Sequence, residues 1–395
     1  MKITGVTTFP VQVPPPNRGG QTWMFLRLDT DAGISGYGEV MTLAMAFSPR
    51  VLAGMIEDLV ANRLQGHDPR DIELLFERLY AGSGYSRYPE QTKLAILSGI
   101  EIACWDIAGK DAGRPVYRLL GGAVREGVRT YTYIYPDEST GMTSHELWVR
   151  PDLVAERAAH YADQGFTGVK LDPFGTTLSA AQGLGQIIPV QYSLTALDNA
   201  EHVIRMIREA VGSRCDILVG THGQMTAAGA IRLARRLEPF DPLWFEEPVP
   251  PENMAEMALV ARGTTIPITT GERLTTKYDF ARLIQHQAAA IFNLDVGQVG
   301  GILETKKIAG MAEAHYLQIS PHVYGGPLIA AASVQIGACC PSFLIMESIE
   351  QFGWFHAELL DEPLRWENGY LIPSSRPGLG HDLNEEVARR HAVGA

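Results

Sequence analysis

The stretch Leu243–Pro250, LWFEEPVP, is followed by Ile266–Leu274, IPITTGERL, then by Ile291–Ile302, IFNLDVGQVGGI, and Leu317–Gly326, LQISPHVYGG. Each opens as a short apolar run and closes on ionisable residues: Glu246 and Glu247, Glu272, Asp295, His322. A brief run of aliphatic and aromatic residues bounded by Gly or Pro reads as a buried strand. A single Asp or Glu after a strand is commonly the N-cap of the next helix. One strand after another ending this way instead marks a face on which chemistry is assembled.

The same rhythm extends in both directions. Thr130–Tyr135, Gly168–Leu171 and Asp216–Val219 precede these runs, with Lys170, Asp172 and His222 at their ends, and Phe343–Glu347 follows them. Between them lie amphipathic stretches with apolar residues at helical spacing, Asp152–Gln164, Leu197–Val211, Thr226–Leu237 and Leu303–His315. Eight short strands alternating with helices fit a parallel α/β barrel, whose active site lies where the strands end. A doubly wound open sheet alternates too, so periodicity alone leaves both open.

Residues 1–125 read differently, as an α+β unit. Ile3–Val13, Thr22–Asp29 and Ile34–Val40 are antiparallel strands joined by turns, with the loop Pro14–Gln21 between the first two. Helical periodicity follows at Pro49–Arg63, Arg70–Tyr80 and Gln91–Asp111. The barrel unit spans 126–362, and a Pro- and Gly-rich tail, 363–395, returns over the first unit.

Composition narrows the function. The chain has 395 residues, 46% hydrophobic and 20% charged, as expected of a globular enzyme. A net charge of −12 excludes a nucleic-acid surface but not an anionic substrate held by local charge. The amino terminus lacks a signal-peptide core, and the apolar run Leu328–Cys340 is too short for a bilayer, so the expectation is a cytoplasmic protein without membrane contact. Cys104, Cys215, Cys339 and Cys340 lack metal-ligand spacing and read as reduced packing residues. Gly33, Gly36 and Gly38 mimic a dinucleotide loop, but they lie in a hairpin with no following helix.

The strand-end residues have a chemical logic. Glu246 and Glu272, on neighbouring strands, offer the hard oxygen donors that Mg²⁺ prefers, with Mn²⁺ as its substitute. His322 with Asp295 one strand away forms an oriented imidazole base. Glu347, on the last strand, can contact a substrate carboxylate.

At this point the chain resembles the mandelate racemase/muconate-lactonizing branch of the enolase superfamily over essentially its whole length. The matching pieces are GISGYGEV (Gly33–Val40), GIEIACWDIAGKDAGRPVYRLLGG (Gly99–Gly122), VKLD (Val169–Asp172), WFEEP (Trp244–Pro248), TTGE (Thr269–Glu272), NLDVGQVGGI (Asn293–Ile302) and SPHVYGG (Ser320–Gly326). The resemblance implies an α+β capping domain over a (β/α)7β barrel, one Mg²⁺ per site, a small carboxylate substrate passing through an enediolate, and a homo-oligomer. It makes Glu246 and Glu272 metal ligands, Asp295 and His322 the base dyad, and Glu347 the contact to the substrate carboxylate. His222 falls where acid-sugar dehydratases place the histidine that protonates the departing hydroxyl.

Two positions depart from the pattern. Gly220 stands where the family has its first carboxylate ligand, leaving Asp172 or His222 to complete the metal shell. Lys170-Leu171-Asp172 replaces the Lys-x-Lys of racemases, removing the second base and favouring one-way elimination over racemisation. The leading expectation is therefore an acid-sugar dehydratase yielding a 2-keto-3-deoxy acid. The rivals are a racemase, epimerase or cycloisomerase using Lys170, and a metal-depleted sugar-acid binder without catalysis. Specificity is expected from Asp172, from Arg18 and Trp23, and from the loops Met41–Phe47, Tyr85–Tyr88 and Phe174–Ser193.

Overall fold

The computed structural model describes residues 1–42, 48–82, 87–175 and 188–393. The loop positions 43–47, 85–86 and 176–187, to which specificity is ascribed above, lie outside the described residues. Chain contacts divide the protein into two units. One gathers Met1–Arg129, Glu272–Asp279 and Leu294–Ala395; the other holds Thr130–Gly271 and Phe280–Asn293.

In the second unit parallel strands follow one another in chain order. They are β4 (Val128–Tyr133, from Thr130 onward in this unit), β5 (Gly168–Leu171), β6 (Asp216–Gly220), β7 (Trp244–Glu246), β8 (Ile268–Thr270) and β9 (Ile291–Phe292). A doubly wound sheet reverses its strand order at a switch point, and here no reversal occurs. The strands are short, and β5, β7 and β8 are buried at every residue, as parallel strands covered on both faces must be. Register sets Gly220 beside Glu246 and Glu246 beside Thr269. Helices such as Leu194–Val211 return the chain, burying Leu197, Ala200, Val203, Ile204, Ile207 and Val211 along one stripe. Ser193 opens that helix by accepting from Ala196 N at 3.2 Å.

The first unit begins with an antiparallel sheet of β1 (Ile3–Gln12), β2 (Thr22–Thr30) and β3 (Gly36–Val40). Helix Gln91–Asp111 lies against β3 so closely that a Cβ on Gly38 would come within 2.0 Å of Gly99 O. Only glycine allows that approach. The C-terminal segment closes on the same sheet: Gln12 N donates to His391 O at 2.8 Å and Val393 N to Pro10 O at 2.9 Å. Asp106, fully buried on the long helix, accepts from Leu379 N at 2.8 Å and Tyr37 N at 2.9 Å. Helix Pro327–Cys339 is buried at every residue, so its apolar sequence serves a protein core. Among the described residues no helix is long and apolar enough to cross a membrane.

Candidate active site

Each unit carries its own group of ionisable side chains. In the first unit His322 follows Ser320-Pro321, and its backbone N–H donates to Leu294 O at 2.8 Å. Its ring Nδ1 meets Asp295 Oδ2 at 2.7 Å, and Asp295 is itself held by Gly297 N at 2.7 Å. That pairing leaves Nε2 as the working nitrogen, 3.5 Å from Glu347 Oε2 and 3.6 Å from Glu272 Oε2. All four side chains are buried. Burial alone would lower the imidazole pKa, but the Glu347 charge, the Asp295 hydrogen bond and the Glu272 charge outweigh it and push His322 up to about 10. Glu347 Oε2 also accepts from Val323 N at 3.1 Å, whereas its Oε1 is buried with no hydrogen-bond partner in the protein. An orphaned carboxylate oxygen beside an imidazole is where a ligand's polar group is wanted.

In the second unit Lys170 rises from β5 into full burial, and its Nζ lies 2.6 Å from Glu246 Oε1. The other oxygen of Glu246 accepts from the Trp244 indole at 3.0 Å. Tyr133 and Tyr131 flank the ammonium, with ring centroids 5.0 and 5.8 Å away. The space beside Gly220 is where this lysine runs: a Cβ there would lie 2.8 Å from Lys170 Cε. Gly220 and Lys170 are thus complementary, one leaving the room that the other fills.

Asp172 is spent otherwise. Its oxygens accept from Phe174 N at 3.0 Å and from the Gln224 amide, and Tyr192 O–H donates to Gln224 Oε1 at 2.5 Å. Tyr192 in turn stacks on Phe174 at 3.7 Å. Burial pushes Asp172 up to about 7, against the pull of Phe174 N, Gln224 and Gly175 N. It anchors the loop after β5, while the lysine two residues earlier pairs with Glu246. His222 is half-buried and left-handed, φ 49°, and the fully buried Glu247 is left-handed too, φ 40°. Gly223 N donates to Glu247 O at 2.6 Å, tying the two strained positions together.

Glu246 and Glu272 belong to different units, and both oxygens of Glu246 already accept from Lys170 and Trp244. Of the two alternative ligands, Asp172 and His222, the first is committed to its own loop. Among the described residues no group of three or more His, Cys, Asp or Glu is disposed to hold one metal ion. The residues around Glu246 do not fit a divalent cation as they stand.

The expected substrate contacts Arg18, in the first loop, and Trp23, on β2, are also placed. Arg18 pairs with Glu350. Trp23 is 1% exposed, donates to Gly19 O at 2.8 Å and stacks on Phe355 at 5.7 Å. Its ring also lies 4.6 Å from that of His356, whose Nε2 donates to Gly325 O at 3.1 Å. Trp23 therefore braces the segment after His322 from behind. Two buried carboxylates absent from the sequence reading, Glu39 and Glu101, contact the helices that follow the dyad loops. Their signal was the glycine pair before each helix, Gly300-Gly301 and Gly325-Gly326, which leaves no side chain to cap it.

Residues 2–121 match the mandelate racemase/muconate lactonizing enzyme N-terminal domain, and residues 153–387 match the enolase C-terminal domain-like family. A D-galactonate dehydratase of Ralstonia nicotianae is 35% identical over 393 residues, 98% of this chain and 93% of that protein. A D-xylonate dehydratase of Haloferax volcanii is 32% identical over 380 residues, covering 95% and 86%. Among solved structures, a candidate mandelate racemase/muconate lactonizing enzyme from Labrenzia alexandrii DFL-11 is 50% identical, with a TM-score of 0.93 over 100% of this chain and 98% of that one. Fold and matches agree on a small N-terminal domain followed by an α/β-barrel-like domain.

Proposed function

The chain belongs to the mandelate racemase/muconate lactonizing enzyme family of the enolase superfamily, and on that premise we propose that it is a hydro-lyase dehydrating an acid sugar. The observation that carries the reading is the His322–Asp295 pair at 2.7 Å beside the unpartnered Glu347 Oε1. Dehydratases acting on D-galactonate and D-xylonate are its full-length relatives, which supports a small polyhydroxy acid as substrate.

In this reading His322 Nε2 removes the proton beside the substrate carboxylate, and Asp295 fixes the tautomer and stabilises the imidazolium that results. Glu347 receives a polar group of the substrate at Oε1. His222 gives its proton to the departing β-hydroxyl, so that water leaves and the enol product collapses to a 2-keto-3-deoxy acid. Lys170 supplies fixed positive charge at Glu246. Members of the superfamily typically bind a divalent metal, whose chemistry is to neutralise an enediolate. Mg²⁺ is the ion that carboxylate oxygens favour, and at Glu246 it would require Lys170 to release that carboxylate.

The test is a panel of aldonic and aldaric acids assayed for 2-keto product, with His322→Asn beside the wild type. Removing a general base should lower kcat by roughly 10²–10⁴-fold. Turnover undiminished in His322→Asn would remove His322 as the base. Exchange of the α-proton with solvent deuterium without loss of water would point to an epimerase or racemase.

A further inference from the structure

Helix Pro327–Cys339 follows the loop that carries His322, and helix Ile302–Ala314 follows the loop that carries Asp295. Both helices are N-capped by glycine, Gly326 and Gly301, with no side-chain cap of their own. A helix start leaves its first N–H groups without intrahelical acceptors, and buried ones must be satisfied from elsewhere.

Both are satisfied by carboxylates from the N-terminal segment. Glu39, at the end of β3, accepts from Gly326 N at 2.5 Å on Oε1, and from Leu328 N at 3.1 Å and Ile329 N at 3.0 Å on Oε2. It skips Pro327, which has no N–H to offer. Glu101, on helix Gln91–Asp111, accepts from Ile302 N at 2.7 Å and Leu303 N at 2.9 Å, with the Trp105 indole at 2.7 Å as a third donor. The fits are tight: a Cβ on Gly326 would lie 2.7 Å from Glu39 Oε1, and one on Gly301 would lie 2.0 Å from Glu101 Oε2. Burial pushes both carboxyl groups up to about 8, against these backbone donors. Every hydrogen bond they make is one they accept, so the acceptor-only carboxylate is the form that these partners match.

We infer that Glu39 and Glu101 are positioning residues for the His322–Asp295 pair, each fixing the far end of one dyad loop by capping the helix that follows it. Gly326 lies four positions after His322, and Gly301 six positions after Asp295. The near ends are already joined, because His322 N donates to Leu294 O. With both far ends pinned, the ring and the carboxylate have one relative placement. An error of an ångström between reacting groups costs about 10²-fold in rate, so this placement is worth holding.

The inference rests on His322 acting as the base, and its test separates the two. The variants are Glu39→Gln and Glu101→Gln in the full-length chain, isosteric changes that set an amide NH₂ against backbone N–H groups. Asp106→Asn is the control: the same helix, equal burial, and backbone partners Tyr37 and Leu379 that lie on neither loop. The readouts are melting temperature, kcat and KM on the acid sugar found by the panel, and the far-downfield proton resonance of His322 Nδ1–H. That resonance is identified by its absence in His322→Asn. All three variants should melt a few degrees lower. Only Glu39→Gln and Glu101→Gln should shift or lose the resonance, with kcat down about 10²-fold and KM within about threefold. Retention of the resonance and of kcat in both, as in Asp106→Asn, would overturn the inference. The resonance needs no substrate, so it remains decisive even if His322→Asn keeps its turnover and the base assignment falls instead.

Discussion

Replacing Lys170 by Met probes the least expected feature of the site. Lys170 is 0% exposed and Glu246 2%, with 2.6 Å between Nζ and Oε1. At an effective dielectric of 20, that separation corresponds to a gross attraction of about 6 kcal/mol. Desolvating both ions offsets much of it, which is why an intact buried pair contributes little net stability. Deleting one partner is different, since Glu246 then stays buried without its cation, at a cost of about 3–5 kcal/mol. Methionine keeps the stem and approximate volume of lysine, so the loss reports charge rather than a cavity. For a protein whose total stability is about 5–15 kcal/mol, the urea midpoint should fall visibly.

Magnesium ion supplies the second arm. In the wild type the ammonium competes for Glu246, so about 10 mM Mg²⁺ should barely move the midpoint. In Lys170→Met, an ion bound at one-hundredth of its concentration would restore about 2.7 kcal/mol. Gly220→Asp should bind Mg²⁺ only in a Lys170→Ala background, because a side chain at 220 meets Lys170 Cε at 2.8 Å and alanine removes that atom. Circular-dichroism urea curves in EDTA and in Mg²⁺ give all the numbers. An unchanged midpoint for Lys170→Met in EDTA, or equal gains from Mg²⁺ in both proteins, would refute the reasoning.

Two further outcomes follow from buried histidines. His322, raised to about 10 by its three carboxylates, carries a proton at neutral pH, so kcat/KM should climb from pH 7 towards 10 as the base form appears. A plateau from pH 7 upward would mean that a cation offsets those carboxylates in the working enzyme. His356 is pushed down to about 4, first by burial, then by the Arg18 charge, against the pull of Gly325 O. Folding therefore keeps it neutral while the unfolded chain protonates near 6.5, so its stability is present above pH 6.5 and is lost as pH falls towards 4. His356→Gln should flatten the fall in melting temperature over that window, and an equally steep fall would exclude His356 as its source.

Strand ends were legible because burial and charge conflict there. Residues such as Glu246, Asp295 and His322 follow apolar runs too short to be anything but buried strands, and only a site explains them. Strand order was not legible, since a barrel and an open sheet share one periodicity. It took the unbroken pairing β4 through β9 to separate them. Asp172 reads as an open ligand because residues i and i+2 of a strand share a face, but they do so only while the strand lasts. β5 ends at Leu171, and Asp172 turns with the chain to accept from Phe174 N.

Glu39 and Glu101 show what a linear reading omits. Each sits in a quoted motif, yet each contacts residues about 200 or more positions away, Ile302 for Glu101 and Gly326 for Glu39. The halves of the pattern were visible separately, as an acid in the N-terminal segment and a glycine pair before a helix. Gly36 and Gly38 let β3 lie on the long helix, and that contact carries Glu39 to the start of helix Pro327–Cys339. The glycines on one side and the carboxylate on the other are therefore one device. Enlarging Gly38 should displace Glu39 and disturb the His322 loop even though Gly38 touches neither the ring nor Asp295.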